Sequence, residues 1–400
     1  MPPQTARDLG LMQGFPPPDD KLVTVANWLD APYLRWAFQH VDQVVPTARI
    51  SRGTGPVGAL ARSDQDLSGV AFDGPAGRVT VAEMLERTYT DGLVVLKDGA
   101  IVMEQYSNDM TPDSVHLLMS VSKSLVGMLA GIMVERGLLD VTAPVGRYVP
   151  ALEGSAYADA TVQQTLDMTV SVVFREEYDD PHSEIQRQDR AVGWRPALPG
   201  DVVGNYHFLP TLRKDRDHGV LFQYCSATTD VAGWILENVS GLPLAELFGR
   251  EIWAKLGAEH DGYTTVDRYG AALASGGLCV TPRDLARFGQ MILRDGDVDG
   301  RPVVPARWID ETRNGGDNGP WSRGPQRSGM YPRGNYHNYW YNTADAHRSF
   351  YGSGIHGQHL WIDPTAGVVV VKVSTRPAAM DAAMAALTLS GLTAIGSALG

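Results

Sequence analysis

The stretch LLMSVSKSLVGMLAG, residues 117 to 131, combines an apolar helical run with two polar groups that are costly to bury. Ser120 and Lys123 stand at i and i+3, so on a helix both side chains project from one face within hydrogen-bonding reach. Partial burial lowers the pKa of a lysine, which could then take the serine proton and activate Ser120 as a nucleophile. At the start of a helix, free N–H groups and the positive end of the dipole also favour a developing oxyanion. We therefore predict that this helix end faces a cleft.

The S-x-x-K spacing is weak when taken alone. Serine makes up about 7% of an average chain, so the six lysines here give roughly 0.4 chance matches. The competing interpretation is a polar helix start, with Ser120 as a cap and Lys123 in solvent. A second element is needed to support the catalytic interpretation.

Length and composition place the chain among globular proteins. Its 400 residues exceed one simple core, which favours one large composite domain or two domains. The net charge of -12 and the lack of a clustered basic run argue against a nucleic-acid partner. Cys225 and Cys279 form neither a CxxC pair nor a zinc spacing, so we expect two reduced thiols.

The two ends of the chain bear on location. The first 20 residues contain no apolar signal-peptide core, so a cytoplasmic location is expected. Residues 382 to 400 carry no charge and are long enough to span a membrane. Their larger apolar groups fall on one helical stripe, however, which predicts a packed C-terminal helix and no membrane partner.

Two hairpins and several helices are predicted along the chain. LVVLKDGAIVMEQY (93 to 106) and QHLWIDPTAGVVVVKVS (358 to 374) each read as two strands joined by a turn. Helices are predicted to end near Gly137 and Gly241, and another to run from a Thr281 cap to Gly296. The first 75 residues suggest an irregular arm, and the charged segment FREEYDDPHSEIQRQDR (174 to 190) a surface loop.

These elements predict an α+β fold, with an antiparallel sheet flanked by helices and a mainly helical second region. We expect the sheet region to be discontinuous, over residues 1–115 and 270–400. The helical region would cover residues 116–269. An active-site cleft would lie between them.

Tyr224 is the second candidate catalytic residue, because Tyr-Cys-Ser precedes a predicted helix about a hundred residues after Ser120. A tyrosine near an ammonium can relay a proton to a leaving group. The alternatives are that Tyr224 is a packed aromatic at a helix entrance and that Ser226 is an N-cap.

A third element of such a hydrolase would be a short Gly-rich strand edge that supplies a backbone N–H to the oxyanion hole. The segment GSGIHGQ, residues 352 to 358, fits this role.

Other chemistries find less support. Gly352, Gly354 and Gly357 match G-x-G-x-x-G, but they lead into a strand and not a helix, which argues against a dinucleotide site. No G-x-S-x-G elbow occurs. His356 and His359 are separated by two residues on a predicted strand, which is poor geometry for one metal, and we expect them to pack near the cleft. We therefore expect no metal and no cofactor.

Three elements in this order resemble the serine β-lactamase and penicillin-recognising superfamily, in its class C and carboxylesterase branch. Longer strings resemble the 6-aminohexanoate-dimer hydrolases, or nylon-oligomer hydrolases, along nearly the whole chain. They are RWAFQHVDQVVP (35 to 46), HLLMSVSKSL (116 to 125), QYCSATTD (223 to 230), GGLCVTPRDLAR (276 to 287) and GIHGQHLWIDP (354 to 364).

The resemblance implies a β-lactamase-like fold and a catalytic set. It makes Ser120 the acylated nucleophile, Lys123 its general base and Tyr224 the proton donor to the leaving group. The oxyanion hole would use the N–H groups of Ser120 and Ile355. Gly352-Ser353-Gly354 replaces the Lys-Thr-Gly strand of β-lactamases and lacks its cation, so weak β-lactam hydrolysis is expected.

The resemblance also implies substrate contacts. Tyr178 falls where a lid tyrosine meets the scissile amide, and Asp189 where an acid meets the substrate's ammonium; both could instead be solvated members of the charged loop. Trp340 matches an aromatic lining position, and His356 is expected at the substrate site. Ser275 stands where efficient amide-cleaving relatives carry Asn, a departure that predicts lower oligomer activity.

The sequence therefore predicts a serine hydrolase that acts on linear amides, such as 6-aminohexanoate oligomers, and on short-chain esters. The partner would be a small-molecule amide or ester, and a homodimer is left open. One alternative is a general carboxylesterase with incidental amidase activity. Another is a non-catalytic penicillin-binding protein, which the missing Lys-Thr-Gly cation disfavours.

Overall fold

The computed structural model of the chain describes residues 2–325 and 329–400. Its strands are β1 Thr47–Ile50, β2 Ala61–Arg62, β3 Ala71–Gly74, β4 Gly77–Thr80, β5 Thr90–Lys97, β6 Ala100–Tyr106, β7 His116–Leu117, β8 Gly262–Thr265, β9 Leu278–Val280, β10 Asp297–Val298, β11 Arg301–Pro302, β12 Asn335–His337, β13 Trp340–Asn342, β14 Phe350–Gly354, β15 Gln358–Asp363 and β16 Val368–Ser374. Its helices are α1 Leu34–Ala37, α2 Val81–Arg87, α3 Val121–Glu135, α4 Val162–Leu166, α5 Glu184–Ala191, α6 Asn205–Phe208, α7 Ser226–Ser240, α8 Leu244–Phe248, α9 Ala254–Leu256, α10 Pro282–Leu293, α11 Ala306–Asn314, α12 Asn318–Arg323 and α13 Ala382–Leu399.

An eight-stranded sheet forms the framework, in the order β12-β13-β14-β15-β16-β5-β6-β2. Its neighbouring strands pair antiparallel, except that β2 runs parallel to β6. Both predicted hairpins are confirmed, as β5–β6 and β15–β16. In the first turn Asp98 and Gly99 both have positive φ, as the two central residues of a tight type I′ hairpin turn require. The prediction of an α+β fold with an antiparallel sheet flanked by helices is confirmed.

Both faces of this sheet are covered, which explains the run of four valines, residues 368 to 371, at the start of β16. All seven of its residues are buried. Val369 and Val371 belong to the core shared with α3 and α10, whereas Val368 and Val370 belong to the core shared with α2 and α13. Successive side chains of a strand point to opposite faces, so a strand covered on both faces favours apolar residues at consecutive positions.

A second, four-stranded sheet was not predicted. Its order is β1-β8-β9-β7, and every pairing in it is antiparallel. The N-terminal arm supplies β1, which pairs with β8 far along the chain. Residues 2–46 consist of turns and short helical segments, as the arm prediction implied, but strands β2 and β3 also lie within the first 75 residues, where no strand was predicted.

The predicted helix ends are confirmed at their caps. Gly241 and Gly296 adopt the left-handed conformation just beyond α7 and α10, and Gly137 does so beyond α3. Thr281 accepts a hydrogen bond from the N–H of Asp284 and so caps α10. These positions favour glycine because an L side chain at positive φ is strained.

Two further predictions have different outcomes. Helix α13 is long and apolar enough to cross a membrane by length and composition alone, but Leu392 and Ile395 are fully buried against the sheet core. The expectation of a packed C-terminal helix is thus confirmed. The surface-loop prediction for residues 174 to 190 is wrong in part, because the segment ends in α5, which continues to Ala191, and because Gln188 and Asp189 are buried. The many charged residues of this segment gave no indication that one side of the short helix faces the interior.

The large sheet draws its strands from residues 61–106 and 335–374, and α3 to α9 lie between these segments. The domain boundaries at 115/116 and 269/270 stay a prediction. The start of α3, the end of β14 and the segment that includes α5 meet around one cavity.

Candidate active site

The start of α3 carries Ser120 into this cavity. Met119, the residue before it, has φ 46°. That conformation is strained for a residue with a side chain, and such strain is concentrated at functional sites. Ser120 is 8% exposed, and its side chain makes no capping hydrogen bond to the helix. The interpretation of Ser120 as a simple N-cap is therefore wrong.

Lys123 is buried directly beneath Ser120. Its Nζ lies 2.8 Å from Ser120 Oγ, 3.2 Å from Ser226 Oγ and 2.7 Å from the carbonyl oxygen of Ser275. These three contacts match the three donors of an ammonium group. Burial lowers the pKa of Lys123 to about 8, although the nearby Glu176 and Asp230 carboxylates act in the opposite direction. The solvated-lysine interpretation is wrong, and a neutral amine is accessible near physiological pH.

A carboxylate on α7 holds one of the lysine's acceptors in place. Asp230 accepts hydrogen bonds from the N–H of Ser275 (2.9 Å) and from its hydroxyl (3.0 Å). It lies at i+4 from Ser226, so both residues face the same side of α7. Burial raises the pKa of Asp230 to about 6. This spacing could have indicated Asp230 from the sequence, which we did not predict.

Tyr224 is the second polar side chain in contact with Ser120. Its hydroxyl is hydrogen-bonded to Ser120, and Lys123 Nζ lies 5.1 Å from the centre of its ring. Burial raises the pKa of this phenol above its ordinary value, so it stays protonated at neutral pH. The ring also packs against Tyr336 and Tyr341, with ring centres 6.2 and 6.5 Å away. Tyr224 is therefore both a packed aromatic residue and a polar neighbour of Ser120, so the two interpretations of this residue are compatible.

Two glycines let the sheet edge approach the serine. A Cβ on Gly354 would lie 2.8 Å from the carbonyl oxygen of Leu118 and 2.9 Å from the amide nitrogen of Ser120. A Cβ on Gly352 would lie 2.7 Å from Ser124 Oγ. No side chain fits at such distances, so glycine allows the close contact. Ile355, the next residue, lines the cavity together with Ser120.

The cavity opens over Ser120 and is lined by several predicted residues. Lys123 and Tyr224 lie behind its wall. The lining residues that the sequence had indicated are Ser120, Tyr178, Asp189, Ser275, Ile355 and His356.

Asp189 lies on the cavity wall, at the end of α5, with 11% of its side chain exposed. Burial raises its pKa to about 7. Arg195, which also lines the cavity, has its Nε 3.6 Å from Asp189 Oδ2. We did not predict this arginine, since it follows the charged segment without a distinguishing pattern.

Tyr178 is held by Glu176, another residue that we did not predict. The Tyr178 hydroxyl donates to Glu176 Oε2 over 2.6 Å, and the N–H of Ser226 donates to Glu176 Oε1. A carboxylate at the N-terminus of α7 is favourable because the helix end carries partial positive charge. Glu176 thus joins the cavity wall to the helix that carries Ser226. Its position two residues before Tyr178 was the only sequence signal.

Two predicted substrate contacts need correction or detail. Trp340 does not line the cavity: it is fully buried, and its indole N–H donates to the carbonyl oxygen of Ser124 over 3.2 Å. This hydrogen bond joins Trp340 to α3, on the side away from the cavity.

His356 lies in a turn with φ 58° and not on a strand, whereas His359 lies on β15. The Nδ1 of His356 is 2.6 Å from the carbonyl oxygen of Arg376, and burial lowers the pKa of His356 to about 4.

Among the residues that the structure describes, one group has metal-ligand geometry, formed by Asp113, Glu259 and His260. None of the three lines the cavity. Glu259 already pairs with Arg287 and with Arg283. This cluster is therefore better satisfied by ion pairs than by a cation.

A serine beside a buried lysine and a tyrosine, next to a glycine-rich strand edge, can carry out acyl transfer. The sequence profile of the beta-lactamase family matches residues 77–393. The chain belongs to the beta-lactamase family. Members of this family are serine hydrolases, and this chain is therefore assigned as one.

Particular relatives narrow the assignment within the beta-lactamase family. A 6-aminohexanoate-dimer hydrolase from Paenarthrobacter ureafaciens is 41% identical over 355 residues, which cover 88% of each chain. A solved structure from Bacillus anthracis, provisionally named a 6-aminohexanoate-dimer hydrolase, aligns with a TM-score of 0.87 at 27% identity over 96% of this chain and 98% of that one. A class C beta-lactamase from Rhodobacter sphaeroides shares the fold, with a TM-score of 0.54 at 18% identity over 79% of this chain and 99% of that one. The resemblance to the 6-aminohexanoate-dimer hydrolases is thus confirmed.

Proposed function

We propose that the protein hydrolyses linear amides whose acyl group ends in an ammonium, such as 6-aminohexanoate oligomers, and also short-chain carboxylic esters. The observation that carries this proposal is the buried Lys123, whose Nζ lies 2.8 Å from the hydroxyl of Ser120 at the cavity floor. The 41% identical 6-aminohexanoate-dimer hydrolase supports the choice of substrate.

Acylation begins when neutral Lys123 accepts the proton of Ser120 and Oγ bonds to the substrate carbonyl carbon. The resulting oxyanion would be stabilised by the N–H groups of Ser120 and Ile355. As the intermediate collapses, the C–N bond breaks and the leaving nitrogen takes the Tyr224 hydroxyl proton. Tyr224 recovers a proton from Lys123, so the serine proton ends on the leaving amine.

Deacylation reverses these roles with water. Water attacks the Ser120 ester, and its proton passes to the neutral amine of Lys123. The C–Oγ bond then breaks, Ser120 is reprotonated, and the carboxylic acid leaves. An amide needs the Tyr224 proton most, because an unprotonated amine is a poor leaving group, whereas an alkoxide leaves more easily.

Asp189 would select the ammonium end of the substrate. Its carboxylate lies on the wall of the cavity that holds Ser120, so an ionised Asp189 attracts a cationic acyl terminus. Tyr178 would cover the scissile amide from the same side of the cavity.

A general carboxylesterase is the second candidate, and the contacts of Ser275 favour it. The Ser275 hydroxyl donates to Asp230, so its proton is not available to a substrate amide. An ester substrate needs fewer positioning contacts of this kind.

The test compares hydrolysis of 6-aminohexanoate dimer and p-nitrophenyl acetate by the wild type and by Ser120→Ala. We expect the wild type to hydrolyse both, and the variant to lose both by about a thousandfold or more. Wild type acting on the acetate alone would support the carboxylesterase. Wild-type rates in the folded variant would refute the role of Ser120.

A further inference from the structure

The cavity wall presents a cation immediately beside the acid that would bind the substrate's ammonium. Arg195 Nε lies 3.6 Å from Asp189 Oδ2, and both side chains line the cavity. Among the lining residues that the structure describes, Arg195 is the only arginine or lysine. Since burial lowers the pKa of His356 to about 4, that imidazole is neutral at pH 7.

This arginine is incompletely paired. Its Nε is shielded from solvent and has no hydrogen-bond partner among the described residues. The distance to Asp189 is longer than a hydrogen bond allows. Its other acidic neighbour, Asp30, lies 3.8 Å from Nη1 and has more than half of its side chain exposed. The Arg195 side chain as a whole is 24% exposed, and its Nη1 and Nη2 groups donate no hydrogen bond to the residues that the structure describes, so these two groups are available to an acceptor bound in the cavity.

Asp189 and Arg195 together discriminate between acyl groups that end in different charges. An ammonium alone would meet Asp189 but would also lie close to the like charge of Arg195. A carboxylate alone would meet Arg195 but be repelled by Asp189. A terminus that carries both groups on one carbon can satisfy both residues, with its ammonium on Asp189 and its carboxylate on Arg195 in the paired geometry that guanidinium favours.

We infer that the preferred acyl group ends in a zwitterionic amino-acid head. The substrate class is the ω-amides and ω-esters of 2-aminodicarboxylic acids, whose ammonium and carboxylate share one carbon. This inference rests on the proposed function, because it assumes that acyl transfer occurs at Ser120. It makes Arg195 a specificity-determining residue for the same site.

The experiment uses four p-nitroanilides of equal acyl length that differ only at the terminus. The acyl groups are hexanoyl, 6-aminohexanoyl, 6-carboxyhexanoyl and 6-amino-6-carboxyhexanoyl. We expect kcat/KM for the zwitterionic anilide to exceed that for the 6-aminohexanoyl anilide by about tenfold or more, because each charged end gains a partner. The two enantiomers of the zwitterion are measured separately.

Variants identify the residue responsible. In Arg195→Gln the zwitterion-to-ammonium ratio should fall to about one or below, while Arg195→Lys should restore part of it. Arg187→Gln is the matched control, since Arg187 lies on α5 near Asp189 but does not line the cavity. It should keep the wild-type ratio. Thermal unfolding confirms that each variant is folded.

The outcomes separate the two proposals. If the enzyme hydrolyses the 6-aminohexanoyl anilide as well as or better than both zwitterions, the inference is overturned and the proposed function stands. A high ratio that survives in Arg195→Gln also overturns it. If none of the four anilides, 6-aminohexanoate dimer or p-nitrophenyl acetate is hydrolysed, the proposed function itself fails.

Discussion

Lys123 Nζ and Ser120 Oγ lie 2.8 Å apart, with the lysine 1% exposed. This contact joins a potential base to a potential nucleophile inside one turn of helix. The surrounding apolar helix explains why the base is effective: desolvation makes the neutral amine accessible.

The first prediction concerns pH. The amine must be neutral to accept a proton, and burial lowers the pKa of Lys123 to about 8. Hydrolysis of p-nitrophenyl acetate should therefore rise as pH increases through about 8 and level off above it. Stopped-flow measurement of kcat/KM from pH 6 to pH 10 checks this. A rate that is flat across this range would rule out Lys123 as the titrating base.

Replacing the same residue gives the second prediction. Lys123→Met keeps an unbranched buried side chain but cannot accept a proton. We expect acylation to fall by about a thousandfold, within the range of general-base effects, while the far-ultraviolet circular dichroism stays unchanged. A folded Lys123→Met with wild-type acylation would remove the lysine from the mechanism.

Tyr224→Phe tests the proton donor. The ring packing against Tyr336 and Tyr341 is preserved, but the hydroxyl next to Ser120 is lost. Cleavage of 6-aminohexanoate dimer should fall about a hundredfold, and p-nitrophenyl acetate should suffer less because p-nitrophenolate leaves without a proton. The control is Tyr336→Phe, which should be near wild type on both. Equal losses on amide and ester in Tyr224→Phe would argue against a role in leaving-group protonation.

The fourth prediction concerns how pH affects binding of the substrate's ammonium by Asp189. Burial raises the pKa of Asp189 to about 7, so the carboxylate that attracts an ammonium is lost as pH falls through about 7. For 6-aminohexanoate dimer, kcat/KM should therefore decrease below pH 7 more steeply than it does for p-nitrophenyl acetate. Asp189→Asn should remove this difference and lower dimer hydrolysis by about tenfold. The same pH profile for both substrates in the wild type would contradict the ammonium-binding role.

Gly354→Ala tests the approach of the sheet edge to the serine. The added Cβ would lie 2.8 Å from a backbone oxygen and 2.9 Å from the Ser120 nitrogen, so backbone must shift. We expect a loss of about 1–3 kcal/mol in unfolding free energy and a fall in kcat of about a hundredfold from the displaced N–H donors. Gly69→Ala, where a Cβ would meet nothing within 4 Å, serves as the control. Full activity in Gly354→Ala would exclude a tightly positioned oxyanion hole at this edge.

The sequence allowed the main elements to be predicted because their signals are local. The two hairpins follow from alternating strand residues around Asp98-Gly99 and Asp363 to Gly367. The shared face of Ser120 and Lys123 follows from helical geometry. In each case a short window contains all the required information.

The remaining features depend on contacts between distant segments. Strand β1 has four residues and is defined by its pairing with β8 about 200 residues away. The buried polar face of α5 is stabilised by Gln188, which donates to Asp230 on α7. Trp340 matched a lining position by resemblance, yet its fully buried ring packs against Phe350. None of these contacts leaves a periodic pattern in the chain.

The central claim is that Ser120 becomes acylated. The most direct measurement is rapid acid quenching of the enzyme during p-nitrophenyl acetate turnover, followed by mass spectrometry of the peptide that contains Ser120. If Ser120 is the nucleophile, the wild type carries an acetyl group on Ser120 and the same peptide in Ser120→Ala carries none. Turnover that proceeds with the acetyl group on a different residue, or undiminished in Ser120→Ala, would contradict this claim.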